Sequence, residues 1–191
     1  MASGVRTGGE FAREYQAQVV RALGSVDLEA VGRAIEILRE ARAGKRHVFV
    51  CGNGGSAATA SHFVTDMVKG ASYRREERFR IMALTDSMPT ITAYSNDVGY
   101  GCVFAEQLKN FAEPGDVFIG ISGSGNSPNV VCAMEYAGGM GCETIALTGR
   151  GGGKLGPLAK VEIRVGDEHM GRIEDAHLMV CHMLCYYFME S

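Results

Sequence analysis

Apolar positions recur at helical spacing near the start of the chain. Phe11, Tyr15 and Val19 stand at i, i+4 and i+8, on one face of a helix over about Glu10 to Leu23. A second stripe, Leu28, Val31, Ile35 and Leu38, repeats at spacings of 3, 4 and 3. Asp27 before it is a good N-cap and Gly44 after it a natural stop, so the two stripes predict a helical hairpin ahead of the main domain. Short apolar runs then take over. His47 to Cys51, Phe79 to Leu84, Asp116 to Ile121, Glu143 to Leu147 and Val161 to Val165 read as five strands. Helical segments fall between and after them: from the first glycine loop through about Lys69, Pro89 to Tyr94, Gly101 to Phe111, Pro128 to Ala137, and Arg172 to Met189.

Near-continuous apolar strands alternating with helices predict a parallel sheet covered on both faces. The expected fold is therefore α/β: a three-layer, doubly wound, five-stranded parallel sheet. At 191 residues the chain fits one domain, which typically runs about 100–200 residues. The reading is one domain over 1–191, with the hairpin in 1–44 and the α/β core in 45–191.

Glycine changes the picture. There are 26, clustered at Gly52 to Gly55, Gly120 to Gly125, Gly138 to Gly141 and Gly149 to Gly156. Clusters that follow strands are turns or ligand loops. Two of them, Gly52-Asn53-Gly54-Gly55-Ser56 and Ser122-Gly123-Ser124-Gly125-Asn126-Ser127, each join a strand to a helix. Glycine lets the backbone approach an anion closely, and the free N–H groups of the helix start then point at it. Ser122, Ser124 and Ser127 add neutral donors that can ring one phosphate. That suits a sugar phosphate, whose polyol chain must be left free. Turns alone are the bland alternative.

Two nucleotide readings compete. Gly52-x-Gly54-x-x-Ala57 fits a loose dinucleotide fingerprint, with Asp86 after the next strand, but Asp86 lies beyond the usual ~20 residues and the second loop goes unexplained. Gly149 to Leu155 ends Gly-Lys-Leu and fails the phosphate-loop pattern of nucleotide hydrolases. No nucleotide cofactor is expected.

A formal net charge of −3 disfavours nucleic acid and anionic membrane as partners. No apolar run reaches the ~18 residues of a membrane span. Met1 to Arg21 lacks the pattern of a signal peptide, so a cytoplasmic protein is expected. The six cysteines form no CxxC pair, and several sit inside apolar runs, as reduced buried thiols do.

Histidines and carboxylates supply the candidate chemistry. His62 and Asp66 are i, i+4 on the helix after the first loop. The last helix carries Glu174, Asp175, His177 and His182, with Asp175 and His182 on one face. His62, Asp66, a carboxylate and His182 make a plausible divalent-metal set, suited to zinc among others. The same groups could perform aldose–ketose isomerisation, with Asp66 as base and His182 as acid/base.

The motifs CGNGGSAATASHF, YSNDVGYGCVFAEQL, GISGSGNSPNV, ALTGRGGGKL and GRIEDAHLMVCHML resemble the phosphoheptose isomerases of the SIS (sugar isomerase) family, in family order over nearly the whole chain. The resemblance implies a homotetramer with active sites at subunit interfaces. It implies conversion of sedoheptulose 7-phosphate to D-glycero-D-manno-heptose 7-phosphate. Asn53, Gly54 and Gly55, with the adjoining Ser56, match the first substrate loop, and Asn96 and Asp97 match a further contact. Ser122, Gly123, Ser124 and Ser127 match the phosphate loop. His62, Asp66, Glu174 and His182 match zinc positions, and Asp66 and His182 also match the acid–base pair.

The chain departs from the family pattern in places. Asp66 stands where Glu is usual, Glu174 where Gln is usual, and Gly123 where Thr is common. Lys69 stands one place before an expected Arg. A non-catalytic SIS sugar-phosphate-binding regulator, or an isomerase of another sugar phosphate, would share the loops; only an isomerase needs the His and carboxylate cluster.

Overall fold

The computed structural model describes residues 6–191; the reading of Met1 to Arg21 as lacking a signal therefore falls partly on residues 1–5, outside the described residues. Five strands form one parallel sheet: β1 (His47–Gly52), β2 (Arg80–Ala83), β3 (Val117–Ser122), β4 (Glu143–Gly149) and β5 (Val161–Val165). Their order is β2-β1-β3-β4-β5. Register is in step across the centre, with Val48 opposite Val117 and Phe118 opposite Thr144.

Alternation along the strands divides the core in two. Val48, Val50, Val117, Ile119 and Ile121 face one side, packed with helices α1 (Gly8–Gly24), α2 (Leu28–Ala43), α3 (Gly55–Thr65) and α7 (Met170–Glu190). Phe49, Cys51, Phe118 and Ala146 face the other, packed with α5 (Val103–Phe111) and α6 (Pro128–Gly139). Between β2 and α5, α4 spans Met88–Asp97 and runs into a short 3₁₀ turn, Tyr100–Cys102. Each core strand residue removes most of its side chain from water, at about 25 cal/mol per Å² of apolar surface.

The helical hairpin forms as expected, capped by the Thr7–Glu10 capping box on α1 and by Asp27 on α2. It does not stand apart: both helices pack on α7. Its buried stripe is Ala30, Val31, Ala34, Leu38 and Ala41, while Leu28 at the first helical position is exposed. On α1, Phe11 is exposed and Ala22 is the buried residue.

One helix differs in kind from the expectation. The segment after the first glycine loop is α-helical only through Thr65 and continues as a π-helical turn, Asp66–Gly70, closed by Ala71 N–H donating to Asp66 O at 3.0 Å. Such turns widen the helix by one residue and are frequent at functional sites.

The chain crosses from β1 outward to β2, then returns to β3 on the other side of β1. The carboxyl ends of β1 and β3 therefore flank the point where the winding reverses, the usual place for a ligand crevice in open α/β sheets. Both Gly/Ser loops leave the sheet there. Among the described residues, no helix is long and apolar enough to cross a membrane.

Candidate active site

The first loop begins α3. Gly54, at φ 54°, is the N-cap and provides no side-chain cap, so the first N–H groups of α3 are free to face a ligand. The second loop begins α6, where Ser127 is the N-cap and its hydroxyl likewise makes no capping bond. Instead Ser127 Oγ lies 3.0 Å from Ser122 Oγ, and Ser124 Oγ lies 3.5 Å from it. The three hydroxyls therefore converge.

Gly125 explains why this loop needs glycine. Its φ is +64°, and a Cβ there would lie 2.0 Å from Gly152 O. The fourth glycine cluster, after β4, is thus packed directly onto the phosphate-type loop. Leu155 N–H donates to Gly125 O, and Lys154 N–H to Asn126 Oδ1.

A cleft of about 240 Å³ opens between the loops, lined by Asn53, Gly55, Ser122, Ser124, Ser127 and Glu174 among others. Glu174 reaches it from α7: a Cβ on Gly55 would sit 2.6 Å from the Glu174 carboxylate. Asn53 is fixed by residues that the sequence reading did not single out. Asn53 Nδ2 donates to Asn129 Oδ1 at 2.8 Å, Asn129 Nδ2 to Asn53 Oδ1 at 2.9 Å, and Tyr100 Oη–H to the same oxygen at 2.7 Å. Asn129 is buried at the start of α6. A lone Asn after Ser-Pro carries no sequence signal for that role, although Tyr100 lies inside one of the motifs quoted above.

Two turns further along α3, His62 and Asp66 meet His182 of α7. His62 Nε2 lies 3.2 Å from Asp66 Oδ2 and 3.2 Å from His182 Nε2, and His182 Nε2 lies 3.7 Å from Asp66 Oδ2. All three donor atoms fall within 4.8 Å of one another. This geometry fits a divalent ion: metal–ligand distances of about 2.0–2.1 Å give a tetrahedral face with edges of roughly 3.4 Å.

The two helices lie side by side and point the same way, because Gly55 meets Glu174 and His62 meets His182. Seven or eight residues at 1.5 Å each separate these rungs by about 10–12 Å. Glu174 accordingly stands at the loop end and is not one of the three residues that converge on the cation-type site.

Cys185, one turn beyond His182, adds to the cluster. Its thiol donates to Asp66 Oδ2 at 3.8 Å. Burial pushes that thiol up to about 12, so it stays protonated and remains a donor.

Other candidates sit elsewhere. Asp175 accepts a hydrogen bond from the Tyr15 hydroxyl of α1 at 2.7 Å. His177 is fully buried, with Nε2 2.9 Å from Thr148 O. Asn96 and Asp97 are exposed at the end of α4, bonded to each other at 2.7 Å, outside the cleft lining. Ser56 is buried in the first turn of α3 and lines the cleft. Asp86 accepts from Ser61 Oγ on α3 and lies outside the lining of the cleft between the two loops.

The SIS domain profile matches residues 13–149. The phosphoheptose isomerase of Helicobacter hepaticus is 40% identical over 157 residues, 82% of this chain and 79% of that protein. The chain belongs to the phosphoheptose isomerase family of SIS domains. The phosphoheptose isomerase of Akkermansia muciniphila is 42% identical over 144 residues, 75% of each chain. The solved structure of the Neisseria gonorrhoeae phosphoheptose isomerase superposes with a TM-score of 0.89 at 33% identity, covering 97% of this chain and 100% of that one. The five-stranded parallel SIS fold expected from the sequence is the fold of this family.

Proposed function

We propose that the chain is an aldose–ketose isomerase acting on sedoheptulose 7-phosphate to give D-glycero-D-manno-heptose 7-phosphate. The observation that carries this is the rung geometry: a cleft shared by the serine-ringed loop and Glu174, and an imidazole–carboxylate triangle about 10–12 Å from the Gly55–Glu174 rung along the α3–α7 seam. An extended seven-carbon sugar phosphate has that order of length. The phosphate is held by Ser122, Ser124, Ser127 and the first N–H groups of α6. Asn53, held by Asn129 and Tyr100, and Glu174 face the polyol.

At the reactive end, Asp66 removes the proton from C1 of the ketose. The C1–C2 bond becomes the double bond of an enediolate as the C2 carbonyl electrons move to oxygen. His182 moves a proton between the two oxygens, the proton returns to carbon at C2, and the carbonyl is left at C1. His62 Nε2, Asp66 Oδ2 and His182 Nε2 would hold a divalent ion, zinc by donor chemistry, which when bound polarises the sugar oxygens and offsets enediolate charge, and the second Asp66 oxygen and the other His182 ring nitrogen are then the atoms left for proton transfer. The Cys185 thiol steadies the Asp66 oxygen that faces both imidazoles.

The reading extends to a cytoplasmic homotetramer in which neighbouring subunits complete the site; Asn96 and Asp97, outside the cleft of a single chain, are the residues such a neighbour would bring into use. The test is turnover of sedoheptulose 7-phosphate by the zinc-supplemented protein. Asp66→Ala or His182→Ala is expected to lower kcat by about 10²–10⁴-fold, the range of a lost general acid or base, with the circular dichroism spectrum unchanged. Wild-type protein that is folded, zinc-loaded and inactive on this substrate would refute the reading.

A further inference from the structure

At the amino ends of β1 and β2 lies a second, differently charged cavity. It has a volume of about 480 Å³ and is lined by Arg42, Lys45, Glu76, Glu77, Arg78 and Arg80, with Ala43. Its cations come from three separate pieces of chain: the end of α2, the turn into β1, and the segment leading into β2. A strand of six residues at about 3.3 Å each puts it about 20 Å from the loops at the carboxyl ends. It is therefore distinct from the serine-loop cleft, and the nearer part of the proposed site is His182, six residues or about 9 Å along α7 from the Phe188 ring that Arg42 stacks on.

Charge here is not balanced. Four cations face two carboxylates. Glu77 Oε2 stands 3.7 Å from Arg42 Nε, too far for a hydrogen bond, and this Nε is buried with no other partner. Among the described residues, Lys45, Arg78 and Arg80 form no ion pair at all. A buried guanidinium N–H left without an acceptor is costly unless something accepts it. The Arg42 guanidinium is also held in place, 5.5 Å from the Phe79 ring centre and 5.0 Å from that of Phe188, so its donors are oriented before any ligand arrives.

The turn itself presents its charge deliberately. Lys45 adopts φ 53°, a conformation unusual for a side-chain-bearing residue, and its carbonyl accepts from Arg80 Nη1 at 3.1 Å. That bond ties the two strand entrances together and keeps their cations on one cavity.

We infer that this cavity is a binding site for a multiply charged phosphate-type anion, a diphosphate group or its equivalent, separate from the serine-loop cleft. Planar guanidinium groups match phosphate oxygens in pairs, and the cavity falls within the usual volume range of small-ligand sites, about 300–1,000 Å³. The excess of two positive charges selects against monoanions. No aromatic face is free in the lining to stack a base, so recognition is of the phosphates themselves.

The test is calorimetric titration of the full chain with inorganic pyrophosphate, with citrate as a charged anion of different geometry. Wild type and Ser124→Ala should bind pyrophosphate equally at one site per chain, since Ser124 belongs to the other cleft. Lys45→Gln/Arg78→Gln, which removes two exposed and unpaired cations, should weaken that binding at least tenfold. Absence of pyrophosphate binding overturns the inference. So does binding that survives the double substitution, binding that disappears in Ser124→Ala, or binding that citrate matches. None of these readouts depends on whether a heptose phosphate is the substrate of the other cleft.

Discussion

Single side chains here are understood through what they touch. Asp is one methylene shorter than the Glu usual at position 66, yet its Oδ2 reaches both imidazoles. The π-helical turn that begins at Asp66 is the local feature that accompanies this reach. Gly123 has a similar logic. A Cβ there would lie 2.6 Å from Met170 Sδ and 3.3 Å from Ile173 Cγ2, so the thioether occupies the space that a Thr side chain would need. Gly123→Thr is expected to cost about 1–3 kcal/mol through overpacking. Because Met170 is partly exposed at the head of α7, Met170→Ala in the same chain should recover most of that loss. Denaturant unfolding of the single and double variants measures both; equal losses would show that Met170 is not the obstacle.

Residue-level chemistry was legible where it is local. His62 and Asp66 are one turn apart, and any helix there brings them together. The three serines of the second loop lie within six residues, and a strand-to-helix turn is enough to ring them. Glu174 was grouped with His62, Asp66 and His182 on the strength of family positions. Its place over Gly55 depends on how α7 lies against α3, a long-range packing that periodicity does not encode. Asn129 and its pairing with Asn53 were hidden for the same reason.

At the scale of elements, α7 organises the site. It contacts α1, α2 and α3 and reaches β4 and β5. His177 is its anchor to the sheet: the buried ring donates from Nε2 to Thr148 O at the end of β4, while Nδ1 is buried without a partner. Burial lowers the pKa of this ring to about 4, against 6.5 for a free His. The unfolded chain then takes up a proton between pH 6.5 and 4 that the folded chain refuses. Stability therefore falls as pH drops through that window, by roughly 3 kcal/mol, and this group changes nothing above it. In His177→Gln the loss of thermal stability between pH 7.5 and 4.5 should be smaller than in wild type by about 2–3 kcal/mol. An identical loss would mean that the ring is not held neutral by the fold.

Element types were largely readable because binary pattern and glycine position agree. Boundaries shifted where tertiary packing intervenes. The strand around Phe79 shortens to Arg80–Ala83 because it lies at the sheet edge with one paired neighbour. The helix expected through Lys69 changes its winding at Asp66, which no propensity signals.

At the scale of the whole molecule, the two ends of the sheet carry different chemistry. The carboxyl ends hold the serine nest, the His62–Asp66–His182 triangle lies two turns down the α3–α7 seam, and the amino ends hold an excess of positive charge. The flanks of a single chain also leave Phe11 and Val20 of α1, and Met82 and Phe111 near the β2 edge, more than a third exposed. Burying them between subunits is the physical expectation of the proposed homotetramer. Light scattering should return roughly four times the 20.4 kDa chain mass. A monomer mass at micromolar concentration would remove the intersubunit part of the proposal and leave the single-chain site intact.

The claim beneath all of this is that the His and Asp triangle transfers a proton at the sugar's carbonyl end while the serine loop holds its phosphate. Proton NMR of sedoheptulose 7-phosphate in D₂O with the zinc-supplemented protein tests it most directly. Wild type should form the aldose and exchange a C1 hydrogen of the ketose for deuterium, and Asp66→Asn should do neither. Exchange and product formation that persist at the wild-type rate in Asp66→Asn would contradict the account, as would a wild-type protein that leaves the C1 hydrogens untouched.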